Sequence, residues 1–192
     1  MARAKGPSYE SAFRRRRENR TNFAKRLALV KGGLTRMVVR KGSTSLVIQF
    51  VEYTPSGDRV LAGISSSALK KFGWAPRANV PTAYLAGLHA GRLAGKKGIK
   101  EFVLDMGLGA PVRNSIPFAA QKGAIDSGLS SPHGEGLAEE ARLSGAHIEE
   151  YAKSLSDAEY KRVFSSYLKE GFGPREFVSR FRAAKDAILG EA

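Results

Sequence analysis

The sequence predicts an α/β fold, a mixed β-sheet with βββαβα(β) order and packed helices, preceded by a basic arm and followed by a helical extension. Three observations carry this expectation. Three runs of β-branched and apolar residues follow one another across short Gly/Pro/Ser turns. A helical and a strand pattern then alternate, and positive charge gathers ahead of the first strand. The expected division is residues 1–33 for the arm and a short helix, 34–133 for the α/β core, and 134–192 for the extension.

Residues 1–20 contain Arg3, Lys5, Arg14, Arg15, Arg16, Arg17 and Arg20, with Tyr9 and Phe13 as the large apolar groups. Four consecutive arginines on a helix spread over about 300° of its circumference, so this segment cannot offer an apolar stripe to a core. Self-repulsion predicts an arm that is ordered only when phosphates neutralise it. Thr21 is placed to cap a helix whose apolar edge is Phe23, Leu27 and Val30, with Lys25, Arg26 and Lys31 elsewhere and Gly32-Gly33 ending it.

Strands are expected at Thr35–Arg40, Ser45–Tyr53 and about Arg59–Ser65, with Lys41-Gly42-Ser43 and Thr54–Asp58 as turns. Leu46, Ile48 and Phe50 share one face by the period of two. After a loop containing Trp74, Asn79 and Pro81 open a helix to about Ala94. Its small residues, among them Gly87 and Gly91, permit close approach to a sheet. Phe102–Leu104 is a short buried strand, Ile116–Ser127 a helix, and Leu129 the start of a last short strand. Ser156 and Glu159 form a capping box ahead of Tyr160, Val163, Phe164, Tyr167 and Leu168. Phe177, Phe181, Ala184 and Ile188 mark the stripe of a final helix, which must be buried on something.

Several functional classes are excluded or disfavoured. There is no cysteine, and three scattered histidines do not make a zinc site. No apolar run approaches the roughly 18–20 residues of a membrane span, and no signal peptide is recognisable, so the expected location is the cytoplasm, with no membrane partner. Gly107 and Gly109 do not complete a dinucleotide fingerprint. Gly91–Lys97 has one residue too few between its glycines for a phosphate loop and ends a helix instead of opening one. Ser130, Ser131, His133 and Glu135 crowd a loop without a nucleophile elbow, His89 and His147 are expected as ordinary packing or surface residues, and Asp105 is expected as a loop cap. The expectation is a protein that is not an enzyme and needs no cofactor.

Charge carries the positive argument. The chain holds 32 Lys and Arg against 18 Asp and Glu, for a net charge of +14. Residues 1–40 carry +10, residues 41–123 carry +7, and residues 124–192 carry −3. A polyanion is therefore the expected partner, and it should meet the N-terminal part of the chain. The groups expected to bind it are the arm residues named above, Lys25, Arg26, Lys31, Arg36, and Arg40, Lys41 and Ser43 at the first hairpin. A generic nucleic-acid-binding protein and, more remotely, a small-molecule enzyme on an α/β sheet remain alternatives.

The stretches RRRRENRTNFAKRLALVKGGLTRMVVRKGSTSLVIQF (14–50), GWAPRANVPTAYLAGLHAGRLAGKKGIKEFVLDMGL (73–108) and FAAQKGAIDSGLSSPH (118–133) resemble the archaeal form of the ribosomal L-eighteen family. The likeness spans about residues 7–152. It implies a large-subunit protein that binds 5S rRNA, contacts 23S rRNA, and sits in the central protuberance beside the L-five family protein. By position, the resemblance places Arg14 to Arg17, Arg20, Lys25, Arg26, Arg40 and Lys41 against RNA. Ser43 and Thr44 depart from the Ser-Asn-Lys-His type of hairpin associated with that family.

Overall fold

Thr35–Lys41 (β1) and Leu46–Thr54 (β2) form an antiparallel hairpin, as their β-branched alternation predicts, with Met37 opposite Phe50 and Val39 opposite Ile48. Gly57–Ser65 (β3) continues the meander on the far side of β2, with a register shift between Phe50 and Val51. The chain then crosses back so that Phe102–Asp105 (β4) lies parallel to β1, giving the sheet order β3-β2-β1-β4. The computed structural model describes residues 6–191.

Before the sheet come the single turn Arg14–Arg17 (α1) and the helix Phe23–Lys31 (α2). Val80–Lys96 (α3) and Ile116–Asp126 (α4) pack on one face of the sheet, over Met37, Ile48, Phe50 and Phe102, all fully buried. Asn79 caps α3 by accepting the Thr82 N–H at 3.1 Å, with Pro81 in the first turn as expected. α3 approaches the sheet as expected, and its glycines Gly87 and Gly91 also admit α4. A Cβ on Gly87 would stand 2.0 Å from the Ala120 carbonyl oxygen, and one on Gly123 would stand 2.1 Å from that of Tyr84. The two helices thus cross backbone against backbone.

The expected strand at Leu129 shortens to one bridge between Glu101 and Ser130. Phe102 N–H donates to Ser130 O at 3.0 Å and Ser130 N–H to Lys100 O at 2.9 Å. Pro132 has no N–H with which to continue that ladder.

Glu140–Ser144 (α5), Ala146–Ser154 (α6), Asp157–Val163 (α7), Ser165–Lys169 (α8) and Phe177–Gly190 (α9) complete the chain. The capping box at Ser156 and Glu159 is present. The run after it divides at the buried Phe164 into α7 and α8, so Val163 faces outward. Phe177, Phe181, Ala184 and Ile188 are all buried, as the stripe required. Phe177 and Phe181 pack on this chain's own Trp74, whose ring lies edge-on to Phe172 at 5.2 Å, Phe177 at 5.0 Å and Phe181 at 6.1 Å. Trp74 Nε1–H donates to Thr82 Oγ1 at 3.0 Å, so the indole is satisfied where it is buried. A single hydrophobic core therefore runs from Met37 to Ile188, across the boundary expected at residue 133.

Candidate nucleic-acid interface

On β1 the side chains alternate. Met37 and Val39 face the helices, whereas Arg36, Val38 and Arg40 face the other side of the sheet. The arm and α2 lie on that other side, against the end of β4. Between them opens a cleft of about 540 Å³ lined by Arg15, Arg20, Lys25, Arg26, Arg40 and Lys41, with Asp58 and Asp105 as its acidic groups. Cations so outnumber carboxylates there that an anion is attracted before any specific contact forms.

Arg36 is a correction to the sequence reading. Its side chain is 3% exposed, with Nη1 donating to Asp105 Oδ2 at 2.8 Å and Nη2 lying 2.7 Å from Asp58 Oδ1, off the hydrogen-bonding direction. Asp58 Oδ1 also accepts Arg26 Nη2–H at 2.9 Å. Asp105 Oδ1 accepts the Gly107 N–H at 2.9 Å, the loop-capping role expected of it. A chain of alternating charge thus joins α2, β3, β1, β4 and the following turn. Two partly buried carboxylates match the Arg36 charge, so this residue ties β1 to β3 and β4 at the floor of the cleft and exposes little of its own surface there. Asp58 had appeared only as a turn residue, because nothing local to it announces a partner on β1.

The other expected residues fall as follows. Arg3 and Lys5 lie outside the described residues. Tyr9 and Phe13 are exposed, the Phe13 ring standing 5.7 Å from that of Phe23. Arg14, Arg15, Arg16 and Arg17 form one helical turn with no buried residue. Glu18 lies 3.8 Å from Arg14 and 3.1 Å from Arg20, exposed pairs that are worth little and are easily exchanged for phosphate. Lys25, Lys31, Arg40, Lys41 and Ser43 are exposed, and the hairpin tip closes with Gly42 N–H donating to Ser45 O at 2.8 Å.

The short helix departs from expectation in two ways. Its cap is Asn22, whose Oδ1 accepts the Lys25 N–H at 3.1 Å, while the Thr21 hydroxyl accepts from Arg15 Nε at 2.9 Å. Its inward side is Arg26, Leu29 and Val30, leaving Phe23 and Leu27 exposed. The Arg26–Asp58 ion pair sets this rotation in place of the apolar edge.

The remaining candidates resolve into structural roles. Gln121 donates to Ser131 Oγ at 2.9 Å, and His133 Nδ1 lies 2.7 Å from the Ser131 carbonyl, so that loop holds no nucleophile and base in contact. His89 is buried edge-on to Phe72, and burial pushes its pKa down. Among the described residues no group of side chains could hold a metal ion, and no helix is long and apolar enough to cross a membrane.

A family model described as "Ribosomal large subunit proteins 60S L5, and 50S L18" matches residues 7–102. The "Large ribosomal subunit protein uL18" of Methanothermobacter thermautotrophicus is 43% identical over 187 residues, which is 96% of this chain and 97% of that relative. The chain belongs to this family. It is a structural component of the large ribosomal subunit, not an enzyme, and its partners are ribosomal RNA and ribosomal proteins. The part matched by the L-eighteen family model holds the arm, α2, the hairpin and α3, and with them every cation of the cleft. The alignment to the archaeal relative extends through the C-terminal helices, whose aromatic residues build the core around Trp74.

Proposed function

We propose that the chain binds 5S rRNA and helps attach it to 23S rRNA in the central protuberance, beside the L-five family protein. The observation that supports this most directly is the exposed cationic array on the side of the sheet away from α3 and α4. Arg14 to Arg17 and Arg20 on the arm, Lys25 and Lys31 on α2, and Arg40 and Lys41 on the hairpin are available to phosphates, and the sequence ahead of them adds the charges of Arg3 and Lys5. Each phosphate contact releases counterions and adds affinity that depends little on sequence. The hairpin, held in register by β2, is the better discriminator of RNA shape. Tyr9 and Phe13 offer rings to exposed bases, and Ser43 offers a hydroxyl at the tip.

Filter binding at physiological salt against 5S rRNA and a DNA duplex tests this reading. Preferential retention of 5S rRNA is the expected result, and equal retention of the duplex overturns it.

A further inference from the structure

A second, smaller cleft of about 240 Å³ adjoins the cationic one, between the α1–α2 connection and the loop after β4. We infer that it seats a single unstacked RNA base. The inference rests on the RNA-binding reading above and names the chemical group that this part of the interface takes.

Phe23, Ala24 and Leu108 form the apolar part of the lining, and Phe23 and Leu108 come from separately anchored elements. Phe23 sits on α2, which Arg26 ties to Asp58, and the residue remains 37% exposed. Leu108 is 54% exposed on a turn fixed by Asp105 Oδ1 accepting the Gly107 N–H and by Met106 O accepting the Gly109 N–H at 3.0 Å. Neither side chain belongs to the hydrophobic core. An aromatic face and a branched aliphatic group bounding one slot suit a flat, π-faced guest.

The rim is polar without being acidic. Asn19, Asn22 and Arg16 line it, and no carboxylate does. Asn22 uses its Oδ1 to cap α2, which leaves its amide N–H groups to donate. The Asn19 backbone N–H donates to Arg16 O at 3.1 Å, while its side-chain amide makes no hydrogen bond among the described residues. Amides of this kind match the donor and acceptor edges of a base. The surrounding positive charge repels a lysine or arginine side chain and favours a group that arrives between two phosphates. A base inside a duplex is stacked and cannot enter, so the guest is an unpaired nucleotide turned out of its helix.

The test compares an RNA hairpin carrying one bulged 2-aminopurine with the same hairpin fully paired, using the full chain at physiological salt. The wild type should bind the bulged hairpin about tenfold more tightly and change the 2-aminopurine fluorescence, a magnitude typical of one base–aromatic stack. Phe23→Ala should erase the preference while keeping the affinity for the paired hairpin and its salt slope, and Phe23→Tyr should retain the preference. A thermal melt matching wild type establishes that Phe23→Ala is folded. No bulge preference in the wild type, or an undiminished one in Phe23→Ala, overturns the inference. Preference for 5S rRNA without bulge preference removes the base pocket alone, and bulge preference without preference for 5S rRNA over duplex DNA removes the 5S assignment alone.

Discussion

Replacing Asp105 by Asn separates the two tasks of one carboxylate. The amide oxygen can still accept the Gly107 N–H, but the group facing Arg36 loses its charge, and its one oxygen cannot serve both partners fully. Removing one partner of a buried ion pair costs about 3–5 kcal/mol, because the other charge is left uncompensated. Arg36 keeps Asp58 at 2.7 Å and the Asp105 side chain is 14% exposed, so the expected cost lies below that range. We expect about 2–3 kcal/mol, which in a chain of this length lowers Tm by about 4–12 °C. Thermal unfolding followed by circular dichroism measures it. Arg36→Met combined with Asp105→Asn should recover part of the loss, since no guanidinium then remains buried. A Tm within 2 °C of wild type for Asp105→Asn, or additive losses in the double variant, would refute the account of Arg36 as a buried, carboxylate-matched group.

Other consequences can be checked independently. Changing Arg14 to Arg17 together to Gln should leave Tm unchanged and flatten the plot of log affinity against log salt by at most about 3–4 units, and an unchanged slope would show that this turn does not neutralise phosphates. Phe177→Ala removes a ring packed 5.0 Å from Trp74 and 5.6 Å from Phe172, at an expected cost of about 3–5 kcal/mol in urea unfolding. Its affinity for RNA, measured on the folded protein, should change little. Gly87→Ala would gain about 1 kcal/mol from helix propensity alone, yet it should destabilise the protein by ~2 kcal/mol or more, because α3 must move off the Ala120 carbonyl; a stabilised variant would disprove the close crossing. Glu149 titrates below its usual range, chiefly through the hydrogen bond from Lys153 and then through that from the Val178 N–H. A depressed folded pKa gives stability that is present above the unfolded value, about 4.3, and lost as pH falls through the folded one. Hydrogen exchange should therefore show the Val178 amide losing protection on acidification before the amides of α3 do.

The exposed cations were legible in the sequence wherever exposure follows from a residue's own neighbours in the chain. Arg14 to Arg17 cannot form an apolar stripe on any helix, and the structure leaves all four outside. Arg40 and Lys41 were marked by the glycine turn beside them. The burial of Arg36 was not legible because a strand arginine between Thr35 and Met37 has the same local pattern whether it faces water or a carboxylate. Its partner Asp105 lies 69 residues away. Phe23 and Leu27 failed for a related reason: helical periodicity identifies a face, but the ion pair from Arg26 to Asp58 decided which face turned inward.

Strand and helix periodicity, turn residues and the capping box at Ser156 are local signals, and on them the sequence alone determined the element order, the alternation of β1 and β2, the buried stripe of α9 and the cationic N-terminal half. Tertiary structure alone decided that β1 is the strand beside which β4 returns, that Gly87 and Gly123 meet helix against helix, and that Trp74 in a loop gathers Phe172, Phe177 and Phe181 into the core. The physical reason is common to all three. Burial and charge pairing are satisfied between segments distant in the chain, and the residues at each end carry no local mark of which partner the fold will bring to them.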